Sequence, residues 1–230
     1  MLTQELQPIK ARELVEAADA LGVPNAPEMT GEAFTDTAVK ARDDLNKFQV
    51  LHFATHGLTE GQWACDKAPP ALVTSLGAPG SDAILSFDEV AQLKLDANLV
   101  VLSACDTSAG VSIAGARASG EEDIDASLDG LVRAFLAAQA RAVLSTYWPI
   151  SDAGESEALI TDFYGAARTG TIQSALQTAQ TKLMNSADSS HPLYWGAFFL
   201  VGDGQKPLLT GEAKVAVAQP PSPPPPIAAR

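Results

Sequence analysis

Short apolar runs alternate along this chain with segments whose apolar residues recur at helical spacing. The runs at 48–54, 98–104 and 142–147 are rich in β-branched residues and leucine, which is typical of buried parallel strands. A fourth run at 195–201 predicts a last strand, because a glycine-rich turn follows it. Since a parallel strand must be followed by a crossover, the segments between these runs are expected to carry helices.

The helical segments show the expected spacing of three and four residues. Segments 12–21, 153–168 and 171–185 each place apolar residues on one side of a helix. The most regular stripe lies after the second strand and comprises Leu128, Leu131, Val132, Phe135 and Leu136. Strands that alternate with helices predict an α/β fold with a mainly parallel sheet covered on both faces.

The segment between the first two strands carries turn and capping signals. A glycine-rich and proline-rich loop contains one short strand at 71–75, which is expected to form a hairpin with 83–85. Ser86 and Glu89 have the spacing of a capping box, so a short helix is predicted from there to about residue 93.

Charge and composition narrow the possible functions. The chain has 15 Lys and Arg against 28 Asp and Glu, a formal charge of -13. Such an acidic chain has no general attraction for nucleic acid or anionic membranes, so neither is expected as a partner. It contains no apolar run long enough to span a membrane, no signal-peptide pattern and only two cysteines. A cytoplasmic protein with reduced thiols is expected.

Two parts of the chain differ in composition. Residues 10–205 carry the strand and helix patterns and are expected to form one domain. Residues 206–230 end in a proline-rich stretch that cannot pack as a regular element, so a disordered tail is predicted.

Two reactive side chains follow two successive strands of the predicted main sheet. His56-Gly57 follows the first strand and Cys105 follows the second. Because the carboxyl ends of parallel strands share one edge, the imidazole and the thiol are expected to reach one substrate. Taken singly, a cysteine after a strand is usually a small buried residue and a His-Gly pair is usually a turn. Spacing alone does not decide whether His56 and Cys105 are a catalytic pair or two structural residues.

Several segments resemble the signature motifs of the CHAT domain, a family grouped with the caspase, separase and gingipain cysteine peptidases. The two signature segments are Leu-His-Phe-Ala-Thr-His-Gly at 51–57 and Val-Val-Leu-Ser-Ala-Cys-Asp-Thr at 100–107. Further similarity lies at 30–35, 140–152 and 191–203. The motifs occur in the order that the family has.

The resemblance implies a three-layer α/β/α caspase-like fold and a cysteine endopeptidase. It assigns Cys105 as the nucleophile, which forms a thioacyl intermediate, and His56 as the general acid/base. The N–H groups of Gly57 and Cys105 are assigned to the oxyanion hole. No metal and no organic cofactor are implied, and the expected partners are a protein or peptide substrate and regulatory proteins.

One departure from the family pattern keeps an alternative open. Members normally have a strand ahead of the segment that starts near Arg12, and this chain is expected to lack that N-terminal part of the domain. Its loss from within the sheet is expected to leave a gap between strands. The alternative is therefore a catalytically inactive CHAT-fold interaction module or a truncated remnant; a non-peptidase α/β protein with an incidental cysteine is a third, weaker possibility.

The other candidate residues have structural interpretations. His52 lies within the first strand and is expected to be a core histidine, while His191 is expected to be structural in its loop. Cys65 is expected to be incidental. The acidic residues at 121–125 predict a preference for a basic residue before the scissile bond.

Overall fold

A computed structural model describes residues 12–58, 71–77, 79–103, 125–148 and 155–210, with only the backbone described at 125–129 and 155–156. Cys65, Cys105, the acidic residues at 121–124 and the chain after 210 lie outside these residues. In the described part, no helix is long and apolar enough to cross a membrane.

The main sheet contains four described strands in the order β1-β5-β6-β7. They are β1 (Val50–Ala54), β5 (Leu99–Ser103), β6 (Ala142–Thr146) and β7 (Phe198–Gly202). The first three are parallel to one another, and β7 runs antiparallel to β6. The prediction of a mainly parallel sheet is therefore confirmed. The expected gap is not found, because these four strands are hydrogen-bonded in an unbroken row.

Helices cover both faces of the main sheet, as the alternation of strands and helices predicts. One face carries α1 (Arg12–Leu21), α5 (Glu155–Ala167) and α6 (Ile172–Met184). The other carries α3 (Phe87–Ala91) and α4 (Asp125–Ala137), with α2 (Asp36–Lys40) nearby. Together with the sheet, these helices make the three-layer α/β/α arrangement.

The central strand β5 separates two apolar cores, because successive side chains of a strand point to opposite faces. Leu99 and Val101 pack towards α1, α5 and α6, whereas Val100 and Leu102 pack towards α3 and α4. All four are almost fully buried. The strand is apolar throughout because each of its faces is covered by helices.

A small second sheet follows β1 directly. It joins β2 (Gly57–Leu58), β3 (Ala71–Val73) and β4 (Ile84–Ser86), with β3 antiparallel to both neighbours. The predicted hairpin is thus confirmed, and both hydrogen bonds of the Ser86–Glu89 capping box are present. The strand β2 begins directly after His56. Its pairing with β3 therefore constrains the backbone at the end of β1.

The last strand begins later than the sequence predicts. Residues 192–195 form a short helix, α7 (Pro192–Trp195), and β7 starts only at Phe198. His191 caps this helix and Pro192 occupies its first turn, where a missing N–H costs nothing. The prediction of a strand from residue 195 is therefore wrong.

The described chain continues past β7 and remains attached to the domain. Leu208 is fully buried, and the side-chain amide of Asn98 donates a hydrogen bond to its carbonyl oxygen at 2.9 Å. The tail prediction for the residues after 210 lies outside the described part of the chain.

Candidate active site

The ends of β1 and β5 lie side by side. Ala54, the last residue of β1, is paired with Ser103, the last residue of β5. His56 follows Ala54 by two residues, and Cys105 follows Ser103 by two residues. Neighbouring strands are about 4.8 Å apart, so both candidate residues follow adjacent strand ends at the same edge of the sheet. The side chain of Cys105 is outside the described residues.

The backbone at His56 is anchored to the small sheet. The N–H of Val73 donates a hydrogen bond to the carbonyl oxygen of His56 at 2.8 Å. The hydroxyl of Thr55 donates to the carbonyl oxygen of Val73 at 2.5 Å. Two contacts to one residue of β3 therefore fix the turn that carries the histidine.

The pairing of β2 with β3 determines which way the N–H of Gly57 points. In an antiparallel pair, opposite residues alternate between hydrogen-bonded and non-hydrogen-bonded positions. The bond from Val73 to His56 makes that pair hydrogen-bonded, and Gly57 opposite Leu72 is the next pair along. The N–H of Gly57 therefore points away from β3, on the side opposite the hairpin.

A buried polar cluster lies beneath these strand ends, on the face covered by α1 and α5. The hydroxyl of Tyr164 lies 3.2 Å from Nδ1 of His52, and Oε1 of Glu13 lies 3.2 Å from Nε2. The latter is an ion-pair distance without hydrogen-bond alignment. The His52 side chain is 9% exposed. His52 is thus a core histidine, as expected, but only Nδ1 has a hydrogen-bond partner and Nε2 is buried without one, so the expectation that its hydrogen bonds are satisfied is met only in part.

Burial and the contacts with His52 and Ser103 shift the pKa of the Glu13 carboxyl group in opposite directions. Burial raises its pKa, but the contact with His52 and a hydrogen bond to Ser103 outweigh burial and hold the pKa below its usual value. Burial, with the Glu13 charge, raises the pKa of Tyr164 far above its usual value, so this phenol stays neutral.

The order of groups in this cluster does not suit nucleophilic catalysis by serine. In a serine hydrolase triad, the histidine lies between the hydroxyl and the carboxylate. Here the carboxylate of Glu13 contacts both His52 and Ser103. The cluster instead joins α1 to the ends of β1 and β5.

Sequence reasoning missed Glu13, although a signal is present. Glu13 stands one helical turn before the buried Ala17 and two turns before the buried Leu21. A carboxylate in line with a buried helix stripe predicts a polar partner in the sheet.

His191 has the structural role that the sequence predicts. Its Nδ1 accepts a hydrogen bond from the N–H of Leu193 at 3.1 Å and caps α7. In the described residues, no three His, Cys, Asp or Glu side chains are grouped so as to hold a metal ion.

Comparison with known proteins gives a family match and two curated relatives. The CHAT domain model matches residues 2–203. Tetratricopeptide repeat protein 28 of Mus musculus is 32% identical in an alignment 219 residues long, and the alignment covers 80% of this chain and 8% of that protein. The Homo sapiens protein of the same name is 31% identical over 151 residues, which cover 62% of this chain and 6% of that protein. The chain thus spans less than a tenth of each relative's length.

Proposed function

This chain belongs to the CHAT domain family, a caspase-like group, and we propose that it is a cysteine endopeptidase with Cys105 as nucleophile and His56 as general acid/base. The observation that carries the proposal is the pairing of Ala54 with Ser103. The two paired strand ends each lie two residues before a proposed catalytic residue, His56 or Cys105. The two family motifs thus meet at one edge of the sheet.

The proposed reaction proceeds in two steps. In the first, His56 takes the proton of the Cys105 thiol, the sulfur attacks the peptide carbonyl carbon, and His56 returns the proton to the leaving amine. In the second, His56 takes a proton from water, the resulting hydroxide attacks the thioester carbonyl carbon, the carbon–sulfur bond breaks, and His56 returns the proton to the departing Cys105 thiolate. The products are a carboxylic acid, an amine and the original enzyme.

The negative oxygen formed in each step requires hydrogen-bond donors. The N–H groups of Gly57 and Cys105 are the proposed donors. The direction of the Gly57 N–H, away from β3, supports this assignment because the hairpin does not consume the donor. The absence of a Cβ on Gly57 allows a substrate oxygen to approach its N–H closely.

Covalent labelling tests the proposed pair. The full chain is treated with a peptidyl acyloxymethyl ketone, and the modified residue is identified by mass spectrometry. We expect the probe to label Cys105 in the wild type and in Cys65→Ala, and to lose at least about 99% of its labelling rate in His56→Ala, the roughly hundredfold lower end of a general-base contribution.

Two results would contradict the proposal. One is equal labelling of Cys65 and Cys105, which indicates ordinary thiol reactivity. The other is no labelling of a sample whose circular dichroism shows a folded domain. Iodoacetamide serves as the control, because it reports thiol exposure without requiring peptide recognition.

A further inference from the structure

An exposed group of apolar side chains lies at the carboxyl end of β6. This aromatic patch consists of Tyr147, Trp148, Leu193 and Phe199. Tyr147 is 51% exposed and Leu193 is 53% exposed, although both are large apolar residues. Surface of this kind, when contiguous, commonly marks a binding site.

Contacts within the aromatic patch hold its members in place. The rings of Tyr147 and Phe199 are stacked, with centroids 4.1 Å apart and an interplanar angle of 23°. The indole N–H of Trp148 donates a hydrogen bond to the carbonyl oxygen of Leu193 at 3.1 Å. The N–H of Tyr147 donates to the carbonyl oxygen of Ala197 at 2.8 Å. The exposed rings are thus ordered before any ligand binds, which lowers the entropic cost of binding.

The sheet register relates the aromatic patch to the candidate catalytic residues. Val101 of β5 is paired with Leu144 of β6 in a parallel ladder. Counting forward from this pair puts Ser103 opposite Thr146, and Tyr147 is the next residue. Tyr147 therefore emerges at the same edge as the ends of β1 and β5, on the strand adjacent to the one that Cys105 follows.

We infer that the aromatic patch is a substrate subsite for an aromatic or large aliphatic side chain close to the scissile bond. This inference rests on the proposed peptidase function. None of its four side chains carries a charge. Although the whole chain is strongly acidic, this surface selects by apolar contact. A peptide side chain that packs on the aromatic patch removes exposed apolar surface from both partners, which is the main source of its affinity.

Peptide binding tests the subsite without requiring turnover. The probes are fluorescein-labelled hexapeptides whose central peptide bond is reduced to a methyleneamine, so that they cannot be cleaved. The parent peptide is all-alanine, and four variants carry phenylalanine at one of the two positions on either side of the reduced bond. Fluorescence anisotropy with the full chain gives each dissociation constant.

We expect at least one phenylalanine peptide to bind about tenfold more tightly than the parent, the effect of burying part of one large side chain. Tyr147→Ala removes this preference and Tyr147→Phe keeps it, because the ring is retained. Leu193→Ala weakens the preference when Tyr147 is present. The matched control is Val15→Ala, which removes a 44% exposed apolar residue of α1 outside the aromatic patch and leaves the preference unchanged.

Equal affinities for all five peptides would overturn the inference, as would a preference that survives both Tyr147→Ala and Leu193→Ala. These results are distinguishable from failure of the proposed peptidase. A chain that labels at Cys105 but binds all peptides equally refutes the subsite alone. A chain that selects phenylalanine through Tyr147 but does not label refutes the peptidase and retains a peptide-binding surface.

Discussion

At the scale of single residues, a buried polar cluster lies beneath the proposed catalytic pair. Glu13, His52, Ser103 and Tyr164 join α1 to the strand ends that precede His56 and Cys105. Glu13 is 21% exposed, so most of its carboxylate has exchanged water for these partners. Such a group is costly to leave unpaired. The cluster therefore couples the stability of the domain to the charge of one carboxylate.

Replacing Glu13 by glutamine is expected to lower the free energy of unfolding at pH 7 by about 1–2 kcal/mol, because a charged contact is lost from a partly buried site. The pKa of Glu13 is lowered in the folded state. Its contribution is thus fully present above the ordinary carboxyl pKa and is lost as the pH falls through the lowered value. Urea unfolding of wild type and Glu13→Gln at several pH values measures this difference.

The matched control for this prediction is Glu28→Gln, a substitution of an exposed glutamate. It is expected to leave the unfolding free energy unchanged within about 0.5 kcal/mol. The account of the cluster is contradicted if Glu13→Gln matches this control at pH 7. It is also contradicted if the deficit of Glu13→Gln grows, rather than shrinks, towards pH 3.

At the scale of elements, apolar periodicity in the sequence predicts most strands and helices to within a few residues. It does so because a buried strand or helix face must be apolar whatever its neighbours are. The exceptions have physical reasons. The aromatic residues around Pro192–Trp195 favour a strand. The cap from His191 instead stabilises a short helix there. The direction of β7 is also set by tertiary contacts and not by its own pattern.

The candidate site is less predictable than the elements that carry it. His56 and Gly57 are evident as residues that follow a strand, but the direction of the Gly57 N–H depends on its pairing with β3. The contact between Glu13 and His52 joins residues far apart in sequence and requires α1 to pack on one particular face. Long-range contacts of this kind are not visible in local periodicity.

A pair of glycine substitutions tests the packing of two elements. Gly202 ends β7 with φ +107°, and a Cβ there would collide with the carbonyl oxygen of Arg141. Gly165 lies within α5, where an added Cβ meets nothing within 4 Å. We expect Gly202→Ala to destabilise the domain by about 1–3 kcal/mol. We expect Gly165→Ala to stabilise it by about 0.5–1 kcal/mol, because alanine favours helix.

Thermal unfolding of the two glycine variants beside the wild type measures both effects. The melting temperature should fall for Gly202→Ala and rise for Gly165→Ala. Equal shifts in the same direction would contradict the assigned strand end and helix.

At the scale of the whole molecule, the parallel sheet brings distant segments to one edge. The strands β1, β5 and β6 end there in neighbouring positions, followed by His56, Cys105 and Tyr147 in turn. Two helical layers hold these strands, with separate apolar cores on the two faces. In the proposed peptidase, Cys105 supplies the nucleophile, His56 carries the proton and Tyr147 contributes to an apolar surface, each following one of three adjacent strands.

The most direct measurement of the central claim is peptide-bond hydrolysis by the full chain. A proteome-derived peptide library is incubated with the wild type, Cys105→Ala and His56→Ala, and new peptide termini are counted by mass spectrometry. We expect new termini with the wild type, a loss of at least about a hundredfold with either variant, and retained cleavage with Cys65→Ala. Cleavage that persists in Cys105→Ala, or a folded wild type that produces no new termini, would contradict it.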